Sequence, residues 1–419
     1  MKKLVYIIQT PPFWVKTPPL ALFYLKKHLE KKGISTGIID LNHTIFNLGL
    51  YTPPQWLGLD ETFEKNLFFI IEKKFPSILS NLLSEIKDSQ FIGFSLFKRN
   101  TPFALLLAQK IKQQFPSKKI IFGGPQVLFL DKANKLDPQF SWIIGEGEIP
   151  LYQAIQNNAN AISRFQEIDT LDTLPFIDFD PINLTDYSHS RSIALITSRG
   201  CTHKCAFCTE KNLYQKFRHY SPQYMIDQIT YLIKKYQTTH FIFTDSMINY
   251  KNTWLEEFCQ KIISQRLNIQ WEAQIRIKKH FPLDLAKLMK KSGCYNLFIG
   301  LESGSDKTLK NMNKGFTTND ALDFFTILTN ASLHFEVSLI LGYPQESETD
   351  FNQTLSFIIK NKRIIPKIAQ INPFIDYFAD SNDNSTPSKE AINRVQTMIN
   401  TLKTEKIRYT KRFINNLIY

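Results

Sequence analysis

Short runs of apolar residues alternate with stretches that turn apolar every third or fourth position, and this alternation continues down most of the chain. Residues 4–8 form an apolar run of the buried-strand type. A Pro-rich loop with Pro11, Pro12, Pro18 and Pro19 follows, then an amphipathic stretch over 20–32 that Gly33 stops. Further strands are expected at 36–40, 90–96, 119–122 and 142–144, with a helical period over 101–115. Three of these strands close on Gly93-Phe94-Ser95, Gly123-Gly124-Pro125 and Gly145-Glu146-Gly147-Glu148. Helices between short apolar strands imply right-handed crossovers and a parallel, doubly wound α/β sheet. In such sheets ligands sit at the carboxyl ends of the strands, where these Gly, Ser and Pro clusters lie.

Residues 163–191 are rich in Asp, Pro and Thr, keep no steady period and read as a linker. The alternation then resumes. Strands are expected at 193–197, 240–245, 269–276, 296–302, 335–341 and 369–371, and helices at 224–235, 253–265, 283–291, 319–330 and 348–360. Six βα units match a partial TIM barrel in number and order. A polar loop at 379–388 precedes Ile392, Val395, Met398, Ile399 and Leu402, which recur at helical spacing and define one apolar helix face, with a Lys/Arg-rich remainder. The expected plan is a Rossmann-like domain over 1–162, a linker over 163–191, a partial (β/α)6 barrel over 192–373 and a helical extension over 374–419.

A length of 419 residues suits two such domains. Apolar residues at 43% and charged residues at 21% are ordinary for a globular chain. No run approaches the ~20 apolar residues of a membrane span, and the N-terminal run is too short for a signal segment. A cytoplasmic protein without a membrane partner is expected. The net charge of +13 is scattered among acidic residues, not blocked, so it mostly solvates the surface. It leans toward an acidic substrate or leader peptide and does not call for nucleic acid.

Three of the five cysteines fall within eight residues, Cys201-Thr-His-Lys-Cys205-Ala-Phe-Cys208. A disulfide framework would spread them through a small secreted chain, so the cluster points to metal. Cys259 and Cys294 stand alone in apolar stretches and read as packing residues. Three thiolates on one short loop after a strand can ligate three irons of a 4Fe–4S cube and leave the fourth open. An open iron can chelate the amino and carboxylate groups of S-adenosylmethionine (SAM) and pass an electron into its sulfonium, releasing a 5′-deoxyadenosyl radical. The competing reading is zinc, which takes four ligands in two spaced pairs. No second cysteine pair is present, and His203, inside the three-residue gap, is poorly placed to close a tetrahedron.

The spacing and its place after the strand at 193–197 resemble the radical SAM superfamily. The resemblance spans about residues 193–373 and implies roles for further positions. Phe207, before the last cysteine, would lie along the adenine. Asp245 in Phe243-Thr-Asp245 would meet the SAM amino group, although Ser246 stands where the family often has a second acidic residue. Glu302 and Ser303, in Gly300-Leu-Glu302-Ser303-Gly304-Ser305, would face the ribose. Ile340 and Gly342, in Leu339-Ile340-Leu341-Gly342-Tyr343-Pro344, would hold the adenine. An external one-electron reductant of the flavodoxin or ferredoxin type is implied.

The first half resembles the cobalamin-binding domain that precedes the barrel in one branch of this superfamily. The resemblance rests on the Pro-rich first loop and the three Gly-rich strand ends. Leu174-Pro175-Phe176 and Ser198-Arg199-Gly200 also fit. It assigns Ser95, Gly123, Gly124 and Glu146 to cobalamin, since glycine lets backbone approach a flat macrocycle. The DxHxxG loop of mutases is absent. Asp40-Leu-Asn-His43 has the wrong gap and no matching glycine, so His43 reads as an ordinary loop residue. The function expected from the resemblance is cobalamin-dependent methylation of an unactivated carbon in a small molecule or peptide. The alternatives are a radical cyclase, rearranging or oxidising enzyme of the same build, or a non-catalytic cobalamin-type sensor. A tRNA methylthiotransferase is not expected, because no Cys precedes Cys201 and few residues follow Pro373.

Overall fold

The structure is a computed structural model that describes residues 3–52, 55–56, 61–158, 160–189, 192–376 and 387–410. The expected polar loop at 379–388 and the basic remainder beyond residue 410 lie largely outside those residues. The chain divides into two compact units, Met1–Arg191 with Leu213–Gln215 and Ser192–Asn212 with Lys216–Asn415. Among the described residues no helix is long and apolar enough to cross a membrane.

The first unit is a six-stranded parallel sheet of β1 (Val5–Gln9), β2 (Thr36–Asp40), β3 (Phe91–Ser95), β4 (Lys119–Gly123), β5 (Ser141–Ile144) and β6 (Ile162–Arg164). The spatial order is β2-β1-β3-β4-β5-β6. The order reverses between β1 and β3, which makes the carboxyl ends of those two strands the switch point of a doubly wound sheet. Alternate residues Ile92 and Phe94, Ile120 and Phe122, and Trp142 and Ile144 share one core. Phe122 stacks between Phe94 at 5.3 Å and Trp142 at 4.7 Å. The opposite residues Val5, Ile7, Phe91, Ile121 and Ile143 are buried as well, so apolar runs without alternation are what this sheet requires.

Between β2 and β3, where no element is expected, the chain forms helices Leu41–Phe46, Glu61–Lys74 and Pro76–Ile86. β6 was also not expected. It is three residues long and mostly exposed, so no apolar run marks it. The stretch after β6 packs with the first unit. Leu171, Leu174, Ile177 and Phe179 are buried, and Phe179 meets Phe23 at 4.8 Å.

The second unit is a parallel sheet of β7 (Ser192–Leu195), β10 (His240–Phe243), β11 (Gln270–Ile275), β12 (Cys294–Glu302), β13 (Phe335–Leu341) and β14 (Ile368–Pro373). Each strand neighbours the next in sequence, as in the expected six-strand barrel. Helices at Pro222–Tyr236, Asn252–Ser264, Leu283–Lys291, Thr318–Asn330 and Glu348–Lys360 return the chain between strands. Two-residue strands β8 (Ser198–Arg199) and β9 (Arg218–His219) pair antiparallel beyond β7. Helix Lys389–Thr404 packs Ala391, Val395, Met398 and Leu402 inward, and its buried Arg394 bonds Glu346 Oε2 at 2.8 Å.

Candidate functional site

The β8–β9 ribbon closes the loop that carries the three cysteines. Gly200, just before Cys201, has φ +80°, a conformation glycine adopts without a Cβ penalty. Cys205 is buried and the other two are half-buried. The three thiols are near enough to act on one another electrostatically. Each sulfur also receives one N–H. The backbone of His203 donates to Cys201 and that of Glu210 to Cys208, while Arg276 Nη1 reaches Cys205 Sγ at 3.5 Å.

Burial pushes the Cys208 thiol up to about 12 and raises that of Cys201. Without iron these groups are protonated, so ligation must expel protons. Burial, and then Arg276, Lys278 and Lys314, pulls His203 down to about 4. Three cations therefore act on the loop, which suits a negatively charged thiolate cluster. In a cube each thiolate meets its own iron and need not aim at one centre. Among the described residues no three ligating side chains converge on a single ion.

Asp245 follows β10 and is fully buried. Its Oδ1 accepts from Thr197 N at 2.7 Å, Thr197 Oγ1 at 3.0 Å, Ser198 Oγ at 2.8 Å and Ser198 N. These bonds tie the end of β10 to the end of β7. Oδ2 is buried with no partner among the described residues, and burial lifts the carboxyl to about 6. Glu210 is a second buried carboxylate. Burial raises it first, Ser246's hydroxyl bonds it, and the charge of Asp245 raises it further. Thus Ser246 supports a carboxylate that comes from the cysteine loop itself. An unmet carboxylate oxygen beside another acid suits an ammonium group, so these residues fit the amino end of SAM.

At the end of β12 the register slips between Gly300 and Glu302, and Glu302 takes φ +70°. This bulge re-aims a side chain at a strand end. The carboxylate lies back over Gly300, where an added Cβ would stand 2.2 Å from Oε1. Lys314 Nζ reaches Oε1 at 3.3 Å and Ser338 Oγ donates to Oε2 at 3.1 Å. Lys314 also sits 5.6 Å from the ring centre of half-buried Phe207. Phe207, Lys314 and Glu302 are therefore brought together.

Ser303 is not turned to that group. Wholly buried, it meets Thr354 Oγ1 at 3.0 Å and accepts from Ser305 N at 3.1 Å, ahead of helix Asp306–Asn311. Ile340 is half-buried in β13. Gly342 has φ +74°, donates its N–H to Glu346 Oε2 at 2.6 Å, and leaves no room for a Cβ against Ala391.

In the first unit Ser95 and Gly123 are register partners on β3 and β4. A Cβ on Gly123 would meet only Ile143 Cβ at 3.9 Å, whereas on Gly124, at φ +97°, it would strike Leu96 O at 2.6 Å. Gly124 is thus demanded by the turn itself. Glu146 Oε2 accepts from Ile168 N at 3.1 Å. At the switch point Asn100 Nδ2 bridges Ser95 O at 2.9 Å and Thr10 O at 3.3 Å. Gln9 Oε1 and Thr10 Oγ1 are buried there without a hydrogen-bond partner among the described residues. Unmet polar atoms at a switch point fit a ligand with a polar edge. His43 stacks on Tyr187 at 4.1 Å and its Nε2 meets Asp186 O at 3.0 Å, so it is held within the fold.

Residues 195–358 match the family model of the Radical SAM superfamily. The barrel unit is a radical SAM domain, a class that works with a 4Fe–4S cluster and SAM. The chain is 22% identical over 307 residues to an anaerobic magnesium-protoporphyrin IX monomethyl ester cyclase of Synechocystis sp., covering 67% of this chain and 61% of that protein. It is 27% identical over 299 residues to the bacteriochlorophyllide d C-12(1)-methyltransferase of Chlorobaculum tepidum, covering 68% and 64%. The chain thus spans under two thirds of the length of these relatives. A solved structure of the cobalamin-dependent SAM radical enzyme OxsB, with aqua-cobalamin and SAM bound, superposes with TM-score 0.68 at 16% identity, over 97% of this chain and 56% of that one. That likeness establishes the fold.

Proposed function

We propose that this chain is a cobalamin-dependent radical SAM methyltransferase acting on an unactivated carbon. The observation that carries the reading is the joining, in one chain, of a doubly wound sheet with unmet polar atoms at its switch point and a six-strand barrel with the three-cysteine loop after its first strand. The similarity to a bacteriochlorophyllide methyltransferase and the fold shared with OxsB support it.

Cys201, Cys205 and Cys208 would hold the cluster. Asp245 and Glu210 would take the SAM amino group, Glu302 would face the ribose, and Phe207, Ile340 and the Gly342 turn would hold the adenine. Gln9, Thr10, Ser95 and Gly123 would meet cobalamin. When bound, the cluster supplies one-electron cleavage of SAM and cobalamin supplies a methyl carrier. The cations and carboxylates of the barrel would orient the charged ends of SAM, and the Gly342 N–H, donated to Glu346 Oε2, fixes the Gly342 turn.

Anaerobic production with iron, sulfide and hydroxocobalamin, followed by metal analysis, tests this directly. About four irons and one cobalt per chain are expected, with both 5′-deoxyadenosine and S-adenosylhomocysteine formed from SAM once a competent substrate is present. Four irons without cobalt would favour the second reading, a radical cyclase or oxidising enzyme of the same build, for which the similarity to the monomethyl ester cyclase speaks.

A further inference from the structure

Of the three cysteines, Cys205 is held in a way the other two are not. Ala206 N donates to Met312 O at 2.9 Å, and Asn313 Nδ2 donates to Lys204 O at 2.9 Å. The segment after helix Asp306–Asn311 therefore grips the peptide on both sides of Cys205. Its sulfur takes its N–H from the Arg276 side chain, whereas Cys201 and Cys208 take theirs from backbone two residues on. Arg276 itself is anchored. Asn249, fully buried, accepts from Arg276 N at 3.0 Å and donates to Arg276 O at 2.8 Å. The guanidinium lies 5.8 Å from the centre of the Phe316 ring. Gly315 has φ +73°, and a Cβ there would come to 3.4 Å from Arg276 Nη2. A rigid fork is thus delivered to one sulfur by a buried amide, an aromatic face and a glycine.

We propose that Arg276 is a positioning residue that tunes the 4Fe–4S cluster, its N–H···S bond to Cys205 raising the cluster's reduction potential. This rests on the reading of the three cysteines as cluster ligands. A reduced cluster carries one more negative charge than the oxidised one. A cationic donor aimed at a ligating sulfur stabilises the reduced form, and hydrogen bonds to sulfur are among the features that set these potentials. Arginine is suited to the task because its charge is permanent and its fork is rigid. Lys278 is a nearby cation that lacks the bond. Its Nζ is engaged by Tyr250 O at 3.1 Å and Asn252 Oδ1 at 3.3 Å.

The test is a mediated redox titration of the reconstituted protein followed by electron paramagnetic resonance, with iron and sulfide counted on each variant. Arg276→Gln is expected to lower the reduced-to-oxidised ratio at a fixed potential about tenfold, a midpoint fall of ~59 mV for one electron. Lys278→Met should move it less. An Arg276→Gln midpoint equal to that of the unaltered protein overturns the proposal, even where SAM binding is lost. So does a Lys278→Met shift as large as that of Arg276→Gln, because bulk charge then explains both. Should Arg276→Gln fail to retain four irons, Arg276→Lys decides. It keeps the charge without the fork, so a lowered midpoint supports the bond and an unchanged one overturns it. An unaltered chain that holds no four-iron cluster overturns the cluster reading itself and this proposal with it.

Discussion

Around the strand ends of the barrel lie the buried charges of Asp245, Glu210, Glu302 and Lys314, with half-buried Arg276 and Lys278 beside them. Around the strand ends of the first sheet lie Gln9, Thr10, Ser95, Asn100 and Gly123, which are amides, hydroxyls and open backbone, and the acids there are tied, Glu146 to Ile168 N and Asp40 to Tyr187 Oη. Both sheets are parallel and six-stranded, so topology does not distinguish them. Chemistry does. Buried charge is costly unless paired, and the barrel retains it where a thiolate cluster and a zwitterionic ligand would complete the pairing. Neutral donors and acceptors suit a large group bound by shape and amide contacts. Variants should therefore separate the two ends, with barrel changes stripping iron and first-sheet changes stripping cobalt.

The largest effect is expected from the cysteines. Cys205→Ala should take iron from about four per chain to near zero and reduce SAM cleavage to background, while cobalt retention is unchanged. Joint loss of iron and cobalt would break the separation. Next comes Lys314→Met, which leaves the Glu302 carboxylate buried and without its cation. Removing one partner of a buried pair costs about 3–5 kcal/mol, read as a lower denaturant midpoint. The double variant with Glu302→Gln should recover part of that loss.

Two glycines distinguish the ends further. Gly300→Ala drives a methyl group into the Glu302 carboxylate, which Lys314 and Ser338 hold in place, so a loss of about 1–3 kcal/mol is expected. Gly123→Ala has open space around its Cβ and should change stability by less than about 0.5 kcal/mol, yet lower cobalt retention by crowding the macrocycle. Gly124→Ala would not serve, because its clash with Leu96 unfolds the turn whatever binds there. Full cobalt retention in Gly123→Ala would remove that residue from the cradle.

The first sheet was legible because it is buried on each face and its strands are plain apolar runs, whereas barrel strands such as Gln270–Ile275 show the alternation of a sheet with one buried face. Leu283–Lys291, Phe335–Leu341 and Glu348–Lys360 fall where periodicity puts them. β6 and the β8–β9 ribbon were not legible, being too short to carry a period. The cysteine loop announces itself by spacing, but the residues that serve it do not. Arg276 is 71 positions from Cys205, and Lys314 is 12 from Glu302. The end of the third barrel strand was in view at Arg276, and no local signal says that its side chain turns toward a sulfur. Ser303 shows the converse. Its neighbourhood reads as a ligand loop, and only packing against Thr354 reveals that its hydroxyl is already engaged.

The last expected effect is a pH dependence. Burial lifts Asp245 from 3.8 to about 6 against the opposing bonds from Ser198 and Thr197. A raised acid binds its proton more tightly folded than unfolded, so the stability it contributes is full below about pH 4 and is lost as pH rises through about 6. Asp245→Asn keeps an acceptor for Thr197 and Ser198, and its stability relative to the unaltered chain should rise between pH 4 and 7. A bound ammonium reverses the preference, because it needs the carboxylate ionised. SAM should therefore bind about tenfold more weakly at pH 5 than at pH 7, and Asp245→Asn should flatten that profile. Titration calorimetry on the iron-loaded protein reads both. A profile already flat in the unaltered chain would reduce Asp245 to a tie between β7 and β10 and pass the ammonium to Glu210, whose own burial would then have to be relieved by the ligand alone.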